Sequence, residues 1–182
     1  MQGKARMTPK NQYRQDWWAY TEAGHEARNQ GHHTQAEAHY LTALHLAESC
    51  IPPDDLLLLS LDNLADLYTA LRRYADAASL LQRVLAQREA ETGPQHLRLT
   101  ACLNKLAELE VKQAHYPGAE RLYRRHLAIL QNSLRPDHPR ITSCLNDLTD
   151  VLTQQGYYEE IEMLLSAQPP TLDLTPPAPL RP

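Results

Sequence analysis

The sequence predicts an all-α fold, a right-handed superhelical solenoid of about four helix-turn-helix pairs. Three observations predict it: a gapless repeat of 42 residues, apolar side chains recurring at intervals of three and four, and few of the β-branched and aromatic residues that sheets favour. The segment Leu61 to Leu67 superimposes on Leu103 to Leu109 and on Leu145 to Val151. Downstream, Tyr74, Tyr116 and Tyr158 keep the same spacing, as do Cys102 with Cys144 and His96 with His138. A one-residue shift reveals an earlier copy, in which Ala23-Gly24 aligns with Leu64-Ala65, and Ala36, Tyr40 and Leu44 align with Ala77, Leu81 and Leu85.

Each copy carries two stripes at helical spacing, such as Leu61, Leu64, Leu67, Tyr68 and Leu71, then Ala77, Leu80, Leu81, Val84 and Leu85. Two helices per unit follow, with units over 17–57, 58–99, 100–141 and 142–167. Residues 1–16 form an N-terminal extension and the start of the first helix, where Pro9 marks a helix start, as Pro139 does later. Gly31 and Gly156 fall where the first helix of a pair ends and a left-handed cap is wanted. Residues 168–182 are a Pro-rich tail, suited to extended polyproline structure; Pro176 to Arg181 fits a PxxPxR pattern, and Leu172 and Leu174 are candidates to cover the last unit.

Gly24, Gly31, Ala36, Tyr40 and Ala43 resemble the tetratricopeptide consensus, in which small residues stand where two helices cross. The longer unit, with Leu103-Asn104-x-Leu106-Ala107, the Tyr116 to Leu127 segment and Arg135-Pro-Asp-His-Pro139, resembles the kinesin-light-chain type of this repeat. The resemblance implies that the first helix of each pair lines an inner groove that takes peptides or partner helices. The groove residues expected on that basis are Thr21, His25 and Arg28; Asp62, Asp66 and Thr69; Asn104, Glu108 and Lys112; Asn146, Asp150 and Gln154.

Asp66, Glu108 and Asp150 keep the period, so the sequence predicts a ladder of carboxylates. At a spacing of ~10 Å two such charges repel by ~0.4 kcal/mol in water, which a solvated face tolerates and a cationic ligand would relieve. Asn104 and Asn146 add amides, which both donate and accept hydrogen bonds and so can pair with a peptide backbone of any sequence. The expected partner is therefore a protein or peptide with basic or polar character, held by an adaptor, scaffold or assembly factor. The alternative is an oligomerisation or sensor module beside a separate catalytic protein, with self-association as its mark.

Other classes find little footing in the residues. With 18 basic and 22 acidic side chains and a net charge of −4, the chain has no reason to bind nucleic acid. Its longest apolar run, Leu56 to Leu59, is too short to span a bilayer, and the N-terminus lacks a secretory pattern, so a cytoplasmic location is expected. Nine histidines, including His32, His33 and His39 near Glu37, show no metal-ligand spacing. Cys102 and Cys144 repeat with the period, as packing residues do, and no phosphate-cradling or nucleophile-elbow motif occurs. No metal, cofactor or catalytic residue is expected. Of the adjacent Trp17 and Trp18, one should pack inward and one lie nearer the surface.

Overall fold

The computed structural model describes residues 9–49 and 55–166. Eight α-helices and no strand occur among them: α1 (Pro9–Asn29), α2 (His33–Glu48), α3 (Asp55–Ala70), α4 (Tyr74–Thr92), α5 (Thr100–Lys112), α6 (Tyr116–Ser133), α7 (Pro139–Gln155) and α8 (Tyr158–Ser166). A single 3-10 turn, Leu97–Leu99, leads into α5. The three tyrosines that share the 42-residue spacing each open a second helix, α4, α6 and α8. The Pro-rich tail and its PxxPxR pattern lie outside the described residues.

Helix starts follow local chemistry more than the apolar stripe. α3 and α7 begin at Asp55 and Pro139, where the stripes begin near Leu58 and Thr142. Asp55 sets a carboxylate at the positive end of a helix, and Pro139 opens α7 without losing a backbone hydrogen bond. His96 and His138 explain their shared spacing here: each accepts a hydrogen bond at Nδ1 from the backbone N–H two residues on, Arg98 at 3.1 Å and Arg140 at 3.2 Å. Both are caps.

The same terminator ends the first helix of every pair. Gly31, Arg72, Ala114 and Gly156 all take positive φ, between 56° and 78°. In each turn the following N–H reaches back five residues: His32 to Ala27, Arg73 to Tyr68, His115 to Glu110 and Tyr157 to Leu152, at 2.8–3.0 Å. This is the Schellman arrangement, which satisfies carbonyls the helix would otherwise leave unpaired. Arg72 and Ala114 hold it despite the steric cost a Cβ meets in the left-handed region.

The chain falls into two compact units, divided between Val84 and Leu85 inside α4. In the first, Trp17, Ala43, Ala47 and Leu56 form one buried cluster, and Trp17 Nε1 donates to Ser60 Oγ at 2.7 Å. Trp17 is 4% exposed and Trp18 60%, dividing the tandem indoles as expected. α1 and α2 approach so closely that a Cβ on Gly24 would stand 2.5 Å from Tyr40 Cε1. Glu37 ties α2 to its successors, accepting from Tyr68 Oη and pairing with Arg73, both at 2.8 Å.

The second unit has a larger apolar centre. Ala107 of α5, Ala119 and Tyr123 of α6, and Leu145, Leu148 and Leu152 of α7 belong to one cluster, which Ile161 of α8 joins. Cys144 is part of it, its thiol pushed up to about 12 by burial, as suits a packing residue. Around its edge Glu120 accepts from Arg124 and from Gln155, both at 2.9 Å, and Arg124 also pairs with Glu160.

Leu148 is wholly buried, so Leu148→Ala should cost ~2–5 kcal/mol in urea unfolding. Ala114→Gly should act in the opposite sense, stabilising the chain by up to ~1 kcal/mol because glycine takes a positive φ freely. Equal or lower stability of that variant would show that the turn carries no strain.

Candidate functional site

In the first unit three of the expected groove residues gather around Tyr40. Its hydroxyl shares a hydrogen bond of 2.8 Å with His25 Nδ1, and the charges of Arg28 and Asp66 act on it. Burial above all raises the Tyr40 hydroxyl above its ordinary range. Asp62 and Thr69 lie half-buried on α3, and Thr69 Oγ1 is turned back onto the Ala65 carbonyl at 2.8 Å.

Thr21 departs from the expected face. It is 4% exposed, with an Oγ1 that has no hydrogen-bond partner. It stands one helical turn beyond Trp17 and one before Gly24, on the stripe that α1 turns inward. A threonine there packs as a small β-branched residue and is not available to a ligand.

In the second unit α6 packs against both α5 and α7, and a groove runs along the latter two. Its walls include Thr100, Asn104 and Glu108 from α5 and Arg140, Cys144 and Asp147 from α7, with His126 of α6 below. Arg140 Nη2 donates to Thr100 Oγ1 at 2.5 Å, joining the N-terminal ends of α5 and α7. Asn104 Nδ2 donates to Glu108 Oε1 at 2.6 Å, so this amide is engaged within its own helix. Asn146, Asp150, Gln154 and Lys112 are exposed.

Two of the expected carboxylates, Glu108 and Asp150, act here on a third, Asp147. Asp147 is half-buried, and its carboxyl is raised above the usual range by burial first, then by the charges of Glu108 and Asp150. Sequence reading overlooked Asp147 because its repeat equivalents are Asn63 and Lys105, so no periodicity draws attention to it.

His126 was overlooked for a related reason. Counting back 42 residues gives Val84, fully buried, so the position reads as core. His126 is itself 6% exposed, yet neither ring nitrogen has a hydrogen-bond partner. Burial, aided by the positive charge of Arg140, holds its pKa down at about 4. The ring is therefore neutral at pH 7, with one donor and one acceptor unused.

Other candidate chemistry is engaged structurally. Glu37, beside the histidines near α2, is bound to Tyr68 and Arg73. No group of three histidine, cysteine, aspartate or glutamate side chains among the described residues could hold a metal ion. No helix among them is long and apolar enough to cross a membrane.

The depressed His126 pKa makes stability depend on pH in a definite sense. The unfolded chain binds the proton near pH 6.5 and the folded chain only near 4, so stability is full above ~6.5 and falls as pH drops, by up to ~3 kcal/mol. His126→Leu should remove this component from the pH dependence of urea unfolding, while an unchanged slope between pH 6.5 and 4 would assign it to the carboxylates.

Residues 56–132 match the tetratricopeptide repeat family. No curated protein matches the chain in sequence. Among solved structures it is similar to BtubC (BKLC) from P. vanneervenii, with 19% identity, a TM-score of 0.73, and coverage of 98% of this chain and 74% of that one. It is also similar to the kinesin-light-chain repeat protein of Podosopora anserina, which has nearly identical TPR-like repeats, at 21% identity and a TM-score of 0.67 over 81% and 71% of the two chains. For the Sgt2 TPR domain of Aspergillus fumigatus the values are 20% and 0.51, over 94% and 93%. At these identities the likeness speaks to fold, and with the family match and the recurring helical pairs it supports one conclusion. Residues 56–132 are tetratricopeptide repeats, and the chain shares the fold of the kinesin-light-chain type of repeat protein.

Proposed function

We propose that the protein is an interaction module that holds a peptide or partner segment on the faces of its first helices, as an adaptor, scaffold or assembly factor. The observation that carries this reading is the polar face of α5 and α7, where Asn104, Glu108 and Asp147 line a groove beside Asp150 and a closely packed apolar layer, with Asn146 exposed on α7. A rigid layer beneath spaced amides and carboxylates suits backbone pairing with an extended chain, and the carboxylates favour basic groups on it. Of the twelve positions read from the sequence, Thr21 drops out by burial and the other eleven remain in the proposal.

No catalytic role is proposed. The Cys144 thiol is pushed toward the protonated form, the reverse of what a nucleophile needs. The buried Cys102 and Cys144, neither of them in a disulfide, fit a reducing cytoplasmic setting. A second reading, self-association, draws on exposed apolar side chains of α8, Met163 at 65% and Tyr158 at 50%. Mass measurement of the isolated chain over a concentration range tests it.

The main reading is tested by recovering peptides that co-purify with the chain, identifying them by mass spectrometry, and titrating one against the wild type and Asn104→Ala/Asn146→Ala. Loss of two amide hydrogen bonds should weaken binding by roughly tenfold in a protein that remains folded. Unchanged affinity would place the partner elsewhere.

A further inference from the structure

The groove between α5 and α7 is electrically divided along its length. At one end Arg140 is bonded to the neutral Thr100 hydroxyl, and no carboxylate pairs with it among the described residues. At the other end, which Lys105 also lines, Asp147 lies half-buried; the charges acting on it are those of Glu108 and Asp150, and no cation forms an ion pair with it among the described residues. The two ends cannot neutralise each other: seven residues separate Arg140 from Asp147 on α7, about 10 Å at 1.5 Å per residue. The unpartnered His126 imidazole also lines the groove, within reach of the Arg140 charge.

Departure from the repeat strengthens the case. Packing positions in this chain recur every 42 residues, yet His126 replaces what is Val84 one unit earlier, and Asp147 replaces Lys105. Burying an unpaired imidazole where the repeat supplies an aliphatic residue works against folding, so packing does not account for it. A ligand that supplies its missing hydrogen-bond partner does.

We propose that this groove binds an extended, dipolar peptide segment, with a carboxylate against Arg140 and a lysine or arginine about three residues away against Glu108 and Asp147. Three residues of extended chain span ~10 Å, which matches the separation of the two poles. His126 lines the same groove, where a peptide N–H or C=O of that segment can pair with it. This rests on the peptide-holding role proposed above and adds to it a charge pattern and a direction of binding. A basic peptide alone would satisfy the acidic pole and leave Arg140 without a counter-charge.

The test uses the full chain, isotope-labelled for NMR and titrated with acetyl-Asp-Ala-Ala-Arg-amide, with acetyl-Asn-Ala-Ala-Gln-amide as the neutral control. Saturable shifts should centre on Asn104, Glu108, His126, Arg140 and Asp147, with about tenfold weaker binding of the control and of the charged peptide to Arg140→Gln or Asp147→Asn. His126→Leu, similar in volume, should raise the melting temperature of the free chain and weaken binding severalfold. Equal binding of the neutral control, or no effect of either charge-removing variant, would overturn the dipolar assignment while leaving peptide binding intact. A His126→Leu chain that is less stable, or binds as tightly, would remove His126 from the site. If neither probe nor a random hexapeptide pool moves any α5 or α7 resonance, both this inference and the peptide-holding role fail.

Discussion

Close approach of the two helices in each pair is the constraint on which the rest depends. A helix packs well against another only where the side chains at the crossing are small enough for the backbones to come near, and here those positions are Gly24 and Ala36, Ala65 and Ala77, Ala107 and Ala119. All five alanines are fully buried, and Gly24 leaves no room for a methyl group beside Tyr40. Each hairpin so formed still has apolar surface that its own two helices leave uncovered. In the second unit Leu145, Leu148 and Leu152 of α7 close over Ala119, Tyr123 and Leu127 of α6, so one apolar layer runs through successive pairs.

Such stacking separates two kinds of residue. Side chains that serve the stack recur with the period, because every hairpin has the same ends to cap and the same face to cover. His96 and His138 cap successive turns, Cys102 and Cys144 fill equivalent holes, and positive φ returns at 31, 72, 114 and 156. Side chains that serve a particular ligand have no reason to recur. His126 and Asp147 depart from the period while lying in one groove, and neither departure is repaid by a contact within the described residues. In a repeat chain, a break in periodicity beside a groove is thus a sharper pointer to binding than the periodic polar face itself.

The electrostatics follow from the same geometry. First helices in one stack set equivalent carboxylates near each other, which is how Glu108 and Asp150 come to act on Asp147. The mutual repulsion is bearable because Glu108 and Asp150 remain exposed to water. Half-burial of Asp147 is the costlier feature, since it removes solvent from a charge that no cation pairs with among the described residues. A cation arriving in the groove meets a site already prepared for it.

The amino-acid sequence by itself determined the helices, their pairing and their turns, because these depend on residues near in the chain: apolar spacing of three and four, proline at helix starts, glycine or its substitutes at left-handed caps. It also pointed to Glu108 and Asp150, two period-related carboxylates that act on one group, Asp147. Tertiary structure alone decided which face was wet. Thr21 has the polarity of a groove residue and is buried, because α1 turns the Trp17 stripe inward. Asn104 has a free amide on paper and spends it on Glu108. His126 occupies an aliphatic position and proves to be an unsatisfied ring beneath a polarised groove, a property set by what packs around it from three helices and invisible in any one of them.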